Sequence, residues 1–565
     1  RDISYLVDPL AERYIYQFGL YQREPEYKST LRKGHLKIEI IEKINETSIE
    51  QIIEQVFSER IKRKALDSII KFSRKLNARM ILLKDTHDNN KILGFAAVHW
   101  VRSSLFFHEF EDNYVCQFIR DHATGRTIVI DGIYSTVSKS KYQDMRDIEQ
   151  IILTEALTFC VRKDYDYAVF KNMIPETNSS ELMEALKLFG FSALPAVKQS
   201  YPNYPIMVVD IRKPTTISLD TETLIKEPFS QSLKVIETIR MVRRKLQKAI
   251  TQLYPGHLLI PFNIDIINQS IIEKICWENG VSAEQSSSQV LGPLMCVPFG
   301  KILHKMVVPN TVTKSLHTDK IFTPDMKHFK IDSFGYYMSL ENQVKMIKSF
   351  NRPVLLIDDL LHKGYRLKAL IPLLKRENIK VHKIIVGLLS GRGKELAMIQ
   401  NRSVDGAYFI PNLRVWFNES DLYPFIGGDG LFRPEPEQGQ LVRSINMILP
   451  FAYPVFLKDV SQETIYQFSE TCIENAIQII KILEKEYQAL YHRKLTLGHL
   501  GEVCLYPRYP DHGKYLDYNL SMATSVYLEN DLELLYRIWK EGAKVDHKDI
   551  LLYPNSREFN VRKEE

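Results

Sequence analysis

Apolar residues follow two different periods along this chain, and each period predicts its own kind of element. Over 63–76 and 148–160 they recur every three or four residues, which predicts amphipathic helices. Elsewhere in the first 200 residues they form short runs bounded by turn residues, which predict strands. The predicted strands are 80–83, 92–100, 127–132 and 167–170. A further helix over 180–189, stopped by Gly190, completes a mixed α/β pattern.

From about residue 290 the predicted strands and helices alternate regularly. Residues 354–357, 383–389 and 406–410 are short apolar runs without polar alternation, which is typical of strands buried in a parallel sheet. A helical segment over 368–374 lies between the first two runs. Alternation of strand and helix predicts a parallel sheet with flanking helices.

The whole pattern predicts an α/β multidomain protein with a helical C-terminal region. At roughly 150 residues per domain, the chain suggests three or four domains. Turn residues over 211–231 predict a linker, and 233–253 predicts a helix with a solvated basic face. A long amphipathic segment over 464–491 dominates the C-terminal part. The predicted divisions are 1–212, 213–255, 256–455 and 456–565.

Composition narrows the class of protein. Of the 565 residues, 45% are hydrophobic and 25% charged, which is ordinary for a globular protein. The net charge of +6 allows a phosphate-bearing ligand and gives no clear sign of nucleic-acid binding. No run approaches the roughly 18 apolar residues of a membrane helix, so no membrane partner is expected. The six cysteines are dispersed, which favours a reducing cytoplasm over disulfides or zinc. The sequence begins with Arg1, which is not a start methionine, and its first residues do not resemble a signal peptide. This suggests that the sequence is a fragment of a longer chain.

A pair of acids stands between an apolar strand and a glycine loop. Asp358 and Asp359 follow the apolar run 354–357, and Gly364 precedes the next helix. Ligands of open α/β sheets bind at the carboxyl ends of the strands, and a helix N-terminus offers free N–H groups to phosphate. The arrangement suits a ribose 5-phosphate, with its hydroxyls on the acids and its phosphate on the loop. The alternative is an acidic strand end that only caps the following helix.

This segment resembles the type I phosphoribosyltransferases, because the apolar run, both acids, Leu360, Leu361 and Gly364 match that family's motif. The resemblance implies that Asp358 and Asp359 bind the ribose hydroxyls of phosphoribosyl pyrophosphate, with Mg²⁺ neutralising the pyrophosphate. It implies that the loop holds the 5-phosphate. The loop residues are His362, Lys363, Gly364, Tyr365 and Arg366. Lys363 and Arg366 replace small hydroxyl residues, which keeps a nucleotide or another phosphosugar open as the ligand.

Further basic residues are candidates for the same ligand. Lys301 and Lys314 lie upstream, where the family contacts pyrophosphate, and surface lysines are the alternative. Arg392 and Lys394 belong to a glycine-basic loop over 390–394 that follows a strand and can face an anion. Downstream aromatic residues can either stack a base or fill the core. They are Trp416, Phe417 and Tyr423.

Residues 78–194 resemble a second family, the GNAT acyltransferases. The resemblance rests on the order of predicted strands and helices, on Gly94-Phe95-Ala96-Ala97 and on the closing Leu188-Phe189-Gly190-Phe191. It implies that acetyl-CoA pyrophosphate binds before the central helix, where Gln143 and Arg146 are candidates. That loop has no glycine, and its Asp144 and Asp147 would repel a pyrophosphate.

Three functions are compatible with these patterns. The preferred one is an enzyme, a phosphoribosyltransferase-like transferase that binds a phosphoribosyl compound or nucleotide. One alternative is an acyl-CoA-dependent N-acetyltransferase whose second domain senses a nucleotide, and another is a non-catalytic scaffold of two degenerate enzyme folds. No metal site is expected, because His99, His108 and His122 lack the spacing of a metal-binding pair. The acceptor base and the oligomeric state are left open.

Overall fold

The computed structural model describes most of the chain between residues 36 and 542. The described ranges are 36–86, 88–123, 125–136, 148–163, 165–177, 180–194, 206–283, 290–303, 308–334, 337–432, 441–511 and 518–542. No helix within these ranges has the length and hydropathy needed to cross a membrane. The N-terminal half of the predicted α/β pattern and the later strand–helix alternation are both confirmed.

Thirteen α-helices lie in the described ranges. They are α1 (Glu46–Val56), α2 (Glu59–Ser73), α3 (Phe106–Phe110), α4 (Asn113–His122), α5 (Ile148–Val161), α6 (Ser180–Leu188), α7 (Leu233–Leu253), α8 (Ile264–Glu278), α9 (Leu340–Lys348), α10 (Tyr365–Arg376), α11 (Gly391–Ile399), α12 (Gln462–Tyr491) and α13 (Thr524–Gly542).

The strands of the described ranges form three sheets. They are β1 (Leu36–Ile41), β2 (Arg79–Asp85), β3 (Lys91–Val101), β4 (Arg126–Ser135), β5 (Tyr165–Phe170), β6 (Ser192–Ala193), β7 (Met207–Leu219), β8 (His257–Asn263), β9 (Met295–Pro298), β10 (Val312–Thr313), β11 (Thr318–Phe322), β12 (Phe329–Ser333), β13 (Val354–Leu361), β14 (Val381–Ser390), β15 (Val404–Ile410), β16 (Val415–Asn418), β17 (Asp429–Leu431), β18 (Val442–Ile445) and β19 (Arg508–Pro510).

The first sheet begins with the strand order that the GNAT resemblance implied. Strands β1 to β4 pair antiparallel in sequence order, β5 lies parallel to β4, and β7 lies antiparallel to β5. The register of β4 with β5 ends at Ile130 and Phe170, and one more backbone bond follows, from the N–H of Met173 to the Asp131 carbonyl at 2.6 Å. Strand β4 stays paired with β3 as far as Ser135. The two parallel strands therefore diverge in the middle of the sheet. Helix α5 covers one face through an apolar stripe that includes Ile152 and Leu157.

Strand β7 corrects the linker predicted for the start of 213–255. It runs to Leu219, pairing first with β5 and then, from Thr215 onward, with β8 and β16. Pro214 made this stretch look like a break, because proline donates no ladder hydrogen bond. The register shift between Asp210 and Thr215 accommodates it.

Helix α7 carries the solvated basic face that the sequence suggested at Arg244, Lys245 and Lys248, which are exposed, but Arg243 departs from it. Arg243 exposes only 13% of its side chain and forms an ion pair with the fully buried Glu419, at 2.8 Å. In the same helix, the backbone carbonyl of Val242 accepts a hydrogen bond from the side-chain amide of Asn475 on α12, at 2.9 Å. The predicted helix is confirmed, and one of its basic residues, Arg243, forms an ion pair in the protein interior.

The second sheet is parallel throughout, with the order β10-β9-β13-β14-β15. One face packs against α9, α10 and α11, and the other packs against α8. Cys296 of β9 is fully buried in this layer. Because the chain starts in the interior of this sheet and changes direction between β9 and β13, those two strands define its topological switch point.

The C-terminal region is not purely helical. Helices α12 and α13 confirm the main prediction, but β19 lies parallel to β18 in a third sheet, whose order is β12-β11-β17-β18-β19. Residues beyond 455 therefore complete a sheet that begins near Thr318. The predicted division at 455 and 456 does not separate independent units.

A hydrogen bond joins the two main layers away from the switch point. The Tyr408 hydroxyl of β15 donates to the carboxyl group of Glu155 on α5. Burial raises the pKa of Glu155 to about 7, because the hydrogen bond from Tyr408 only partly offsets the loss of solvent. Glu155 therefore stays protonated in the folded chain at pH values where it ionises in the unfolded chain.

We expect this group to make the folded chain less stable as pH rises. From pH 4.5 to 7 the unfolded chain loses the Glu155 proton and the folded chain keeps it, so the free energy of unfolding should fall by up to about 3 kcal/mol and then level off. Urea denaturation at several pH values between 4.5 and 7 measures the free energy of unfolding of the parent chain and of Glu155→Gln. The value for the parent chain should fall relative to the value for Glu155→Gln as pH rises. The exposed Glu181→Gln is the control, and a flat difference for Glu155→Gln would contradict the assignment.

Candidate functional site

The acid pair lies where the sequence placed it, at the carboxyl end of a buried parallel strand. Asp358 and Asp359 lie in the C-terminal half of β13, and Lys301 follows the adjacent strand β9. A cavity of about 310 Å³ opens at this switch point. Open α/β sheets bind ligands at such points, and the volume is at the lower end of the range for small-molecule sites.

Segments distant in sequence contribute to the wall of the cavity. Its polar lining residues are Ser218, Asp220, Thr223, Asn268, Lys301, His317, Thr318, Asp319, Asp359, Asn418, Ser420, Asp421 and Arg508. Its apolar and aromatic lining includes Leu224, Ile264, Ile267, Ile302, Leu303, Phe334, Tyr337, Ile426 and Tyr506. The cavity lining therefore combines charged and aromatic residues.

Arg366 neutralises the acid pair from within the chain. The guanidinium nitrogen Nη1 of Arg366 donates to Asp358 Oδ1 at 2.6 Å and also donates to Asp359 Oδ1. The loop after β9 closes the other side, because a Cβ on Gly300 would lie 2.1 Å from Asp358 Oδ1. Asp358 is therefore enclosed and does not line the cavity, which corrects its predicted role as a ribose ligand. Arg366 likewise points at the acids and not at a phosphate.

The two acids share one cation unequally. Burial raises the pKa of Asp358 well above its usual range, and the adjacent Asp359 charge adds to this effect. Burial opposes ionisation of Asp359 too, but Arg366 and a bond with Asp358 hold its pKa at about 2. Asp359 is thus the charged member, and its Oδ2 atom has no hydrogen-bond partner in the described part of the chain.

Either acid can supply the single charge that Arg366 requires, which predicts strong non-additivity. Asp358→Asn and Asp359→Asn should each cost about 1 kcal/mol, whereas the double substitution should cost about 3–5 kcal/mol because it leaves a buried cation unpaired. Adding Arg366→Met to the double variant should recover most of that loss. Urea denaturation of the four variants measures the coupling, and strictly additive losses would disprove it.

The loop after the acid pair lies beside the second glycine loop. Gly364 adopts a left-handed conformation (φ 68°) just before α10. His362 Nδ1 lies 2.8 Å from Ser390 Oγ, which also caps α11 by accepting from the N–H of Gly393 at 3.0 Å. Burial, followed by the charges of Lys363 and Arg392, lowers the pKa of His362. The structure therefore brings two predicted anion-binding loops together.

The other predicted basic and loop residues differ in their placement. Lys301 lines the cavity and pairs with Asp421. Lys314 is absent from the described lining, and its N–H donates to the Cys296 carbonyl at 3.0 Å. Lys394 lies over the ring of Phe409, with Nζ 5.2 Å from the centroid. The ring of Tyr365 is 47% exposed and packs edge-on against Phe329 outside the cavity.

Sequence reasoning missed most of the lining. Asn268 lies on α8, Asp220 follows β7, and Arg508 starts β19, so no local pattern joins them. The aromatic residues predicted to stack a base lie elsewhere. Tyr423 and Phe417 are core residues, and Trp416 donates to Ser218 Oγ at 3.2 Å from outside the described lining.

The N-terminal domain has its own buried polar cluster. His99 of β3 contacts Asp131 at the bulge of β4 through Nδ1 and lies 3.3 Å from Glu109 through Nε2. These groups could hold a metal ion, but the Lys75 ammonium already lies 2.7 Å from Asp131 and 2.9 Å from Glu109. Although burial opposes it, contact with His99 and Lys75 holds the pKa of Glu109 at about 2. His99 is thus part of a charged network, which the sequence did not predict.

The residues proposed for acetyl-CoA, Gln143 and Arg146, lie outside the described residues. The strand order and the divergence of β4 from β5 are therefore the structural features that bear on acyl transfer. Neither feature involves the phosphate-binding loop itself.

Comparison with known proteins gives weak likenesses. No protein-family profile and no curated protein matches the chain. The N-acyl amino acid synthase FeeM from uncultured soil microbes is similar at 12% identity and a TM-score of 0.24, covering 31% of this chain and 87% of its own. AtaTR bound with acetyl-CoA is similar at 11% identity and a TM-score of 0.22, covering 31% of this chain and 93% of its own. The NatC complex bound to Gag peptide and CoA is similar at 11% identity and a TM-score of 0.21, covering 31% of this chain and 98% of its own. At these values the likeness carries no argument, and the GNAT-like domain rests on its strand order.

Proposed function

We propose that the second domain binds a phosphoribosyl compound of the nucleotide type in the switch-point cavity. The observation that carries this proposal is a pair of unsatisfied acceptors on the cavity wall. Asp359 Oδ2 and Asn268 Oδ1 have no hydrogen-bond partner in the described chain, although Asp359 is only 9% exposed and Asn268 only 4%. A buried acceptor without a partner costs about 1–3 kcal/mol. Two hydroxyl groups of a ribose satisfy both atoms.

The neighbouring loops suit the phosphate of the same ligand. The loop that follows Asp359 leads into the N-terminus of α10, whose first N–H groups have no partner within the helix, and the charges of Lys363 and Arg392 both act on His362 of this loop. Phosphate contacts there would place the sugar between the loop and the cavity. Lys301 supplies a further positive charge on the cavity wall.

Arg366 favours binding over phosphoribosyl transfer. Transfer from phosphoribosyl pyrophosphate uses Mg²⁺ to neutralise the leaving group, and the acid pair is the natural oxygen donor set for that ion. Here Arg366 occupies the inner oxygens of both acids, so the residues present do not fit the metal. We therefore favour a nucleotide-sensing second domain.

Calorimetric titration with AMP and with phosphoribosyl pyrophosphate tests the ligand class. We expect a saturable site, and we expect Asn268→Ala to weaken AMP binding three- to tenfold, because one neutral hydrogen bond is lost. Gln269→Ala is the matched control, since Gln269 is the half-buried next residue on α8, lies outside the described cavity lining, and donates its side-chain amide to Glu273 at 3.2 Å. Absence of binding by the parent chain, or equal affinity in Asn268→Ala, would reject the site.

A second candidate function, acyl transfer, is favoured by the divergence of β4 and β5. Beyond Asp131, whose carbonyl accepts from the N–H of Met173 at 2.6 Å, β4 is no longer paired with β5 in the described residues, and its edge leaves room for an extended thioester arm. In this proposal the chain is an acyl-CoA-dependent N-acyltransferase whose second domain senses the nucleotide.

Acetyl-CoA binding tests this second function independently. We expect a calorimetric Kd in the micromolar range and release of free CoA in the presence of a panel of primary amines. Free CoA should compete with acetyl-CoA for the site, and adenosine 3′,5′-bisphosphate should compete more weakly. If the chain binds neither acetyl-CoA nor free CoA, the acyltransferase proposal is rejected, whatever the outcome of the AMP titration.

A further inference from the structure

The carboxyl group of Asp220 stands out among the acids of the cavity. It lies directly after β7 and accepts two hydrogen bonds from Ser420, at 2.9 Å from the N–H group and 2.8 Å from the hydroxyl. Asp319 and Asp421 line the same cavity, and each forms an ion pair with a cation. Asp220 forms none within the described ranges. Its remaining lone pairs therefore have no donor from the described chain.

The buried polar atoms of the described cavity lining that lack a hydrogen-bond partner are both acceptors, Asp359 Oδ2 and Asn268 Oδ1. Asp220 adds the lone pairs that remain beyond its two bonds with Ser420. The two cations of the lining each face an acid, Lys301 facing Asp421 and Arg508 facing Asp319 at 3.2 Å. A complementary ligand therefore brings hydrogen-bond donors at more than one place.

Part of the cavity lining is aromatic, and it adjoins the charged residues, since the Arg508 guanidinium lies 5.3 Å from the centroid of the Phe334 ring. The rings of His317 and Tyr337 are stacked, with centroids 3.6 Å apart and planes 9° apart. Phe334 lies edge-on to Tyr506, with centroids 5.3 Å apart. Burial lowers the pKa of His317 to about 4, so this wall carries no histidine charge near neutral pH. Such a surface suits a planar, uncharged ring.

We propose that the ligand of this cavity carries an amino-substituted heterocycle whose amino group donates to Asp220, so that the site selects amino bases over oxo bases. The inference rests on the proposed nucleotide site and adds the class of base. Burial raises the pKa of Asp220 to about 7, so the titrations are made above that pH, where the group is an ionised carboxylate. An oxo group in the same position would then bring an acceptor against an acceptor, which leaves both unsatisfied. The aromatic wall favours a ring over an aliphatic amine.

Paired nucleotides that differ only in this substituent test the proposal. AMP and IMP are titrated into the parent chain and into Asp220→Asn. We expect the parent chain to bind AMP at least about tenfold more tightly than IMP. An asparagine amide can both donate and accept, so Asp220→Asn should narrow the ratio to about threefold or less. Asp405→Asn, at the start of β15 and outside the described lining, is the matched control and should keep the ratio of the parent chain.

The outcomes separate this inference from the function on which it rests. If neither nucleotide binds the parent chain, the proposed function fails. If both bind with equal affinity, or if Asp220→Asn keeps the ratio of the parent chain, the base assignment is overturned while the nucleotide site stands. Should Asp220→Asn fail to fold, the ratio of CMP to UMP affinity in the parent chain decides. That pair also exchanges an amino group for an oxo group, and equal affinities would overturn the proposal.

Discussion

One long strand organises both halves of the chain. The first part of β7 closes the GNAT-like sheet against β5, and its last part pairs with β8 and β16. The same strand then delivers Ser218 and Asp220 to the cavity of the second domain. Since backbone pairing fixes register to within one residue, the position of the cavity wall follows from the order of the N-terminal sheet. The two domains are parts of one hydrogen-bonded framework.

Charge balance explains the character of the switch-point site. Two adjacent acids at the end of a buried strand are costly unless a cation accompanies them. Here the cation is a side chain, Arg366, which contacts both acids. Arg366 thereby balances the charge of the strand end within the chain, while Asp359 Oδ2 and Asn268 Oδ1 remain acceptors without a partner in the described residues.

Much of the fold was predictable from local patterns. The apolar periods of α5, α7 and α12 and the apolar runs of β13, β14 and β15 match the predicted segments, because burial of one face or of a whole strand leaves a direct signature in sequence. β7 was missed because Pro214 imitates a linker. Arg243 was misjudged because its partner, Glu419, is 176 residues away.

The candidate site was predictable only in part, for the same reason. The acid pair and its loop form a contiguous motif, so sequence placed them correctly at the strand end. The closure of Asp358 by Arg366 and Gly300 depends on side-chain directions, which spacing does not encode. Asn268 and Asp220 reach the cavity through separate strands and helices. Their contribution follows from tertiary contacts alone.

The continuity of β7 has a consequence for dividing the chain. A cut at residue 212 falls within a strand whose two ends pair with different neighbours. Each half would then expose unpaired N–H and C=O groups along a sheet edge, which invites association with other edges. A fragment retains the partners of this strand only if it keeps the whole of β7 together with β5, β8 and β16.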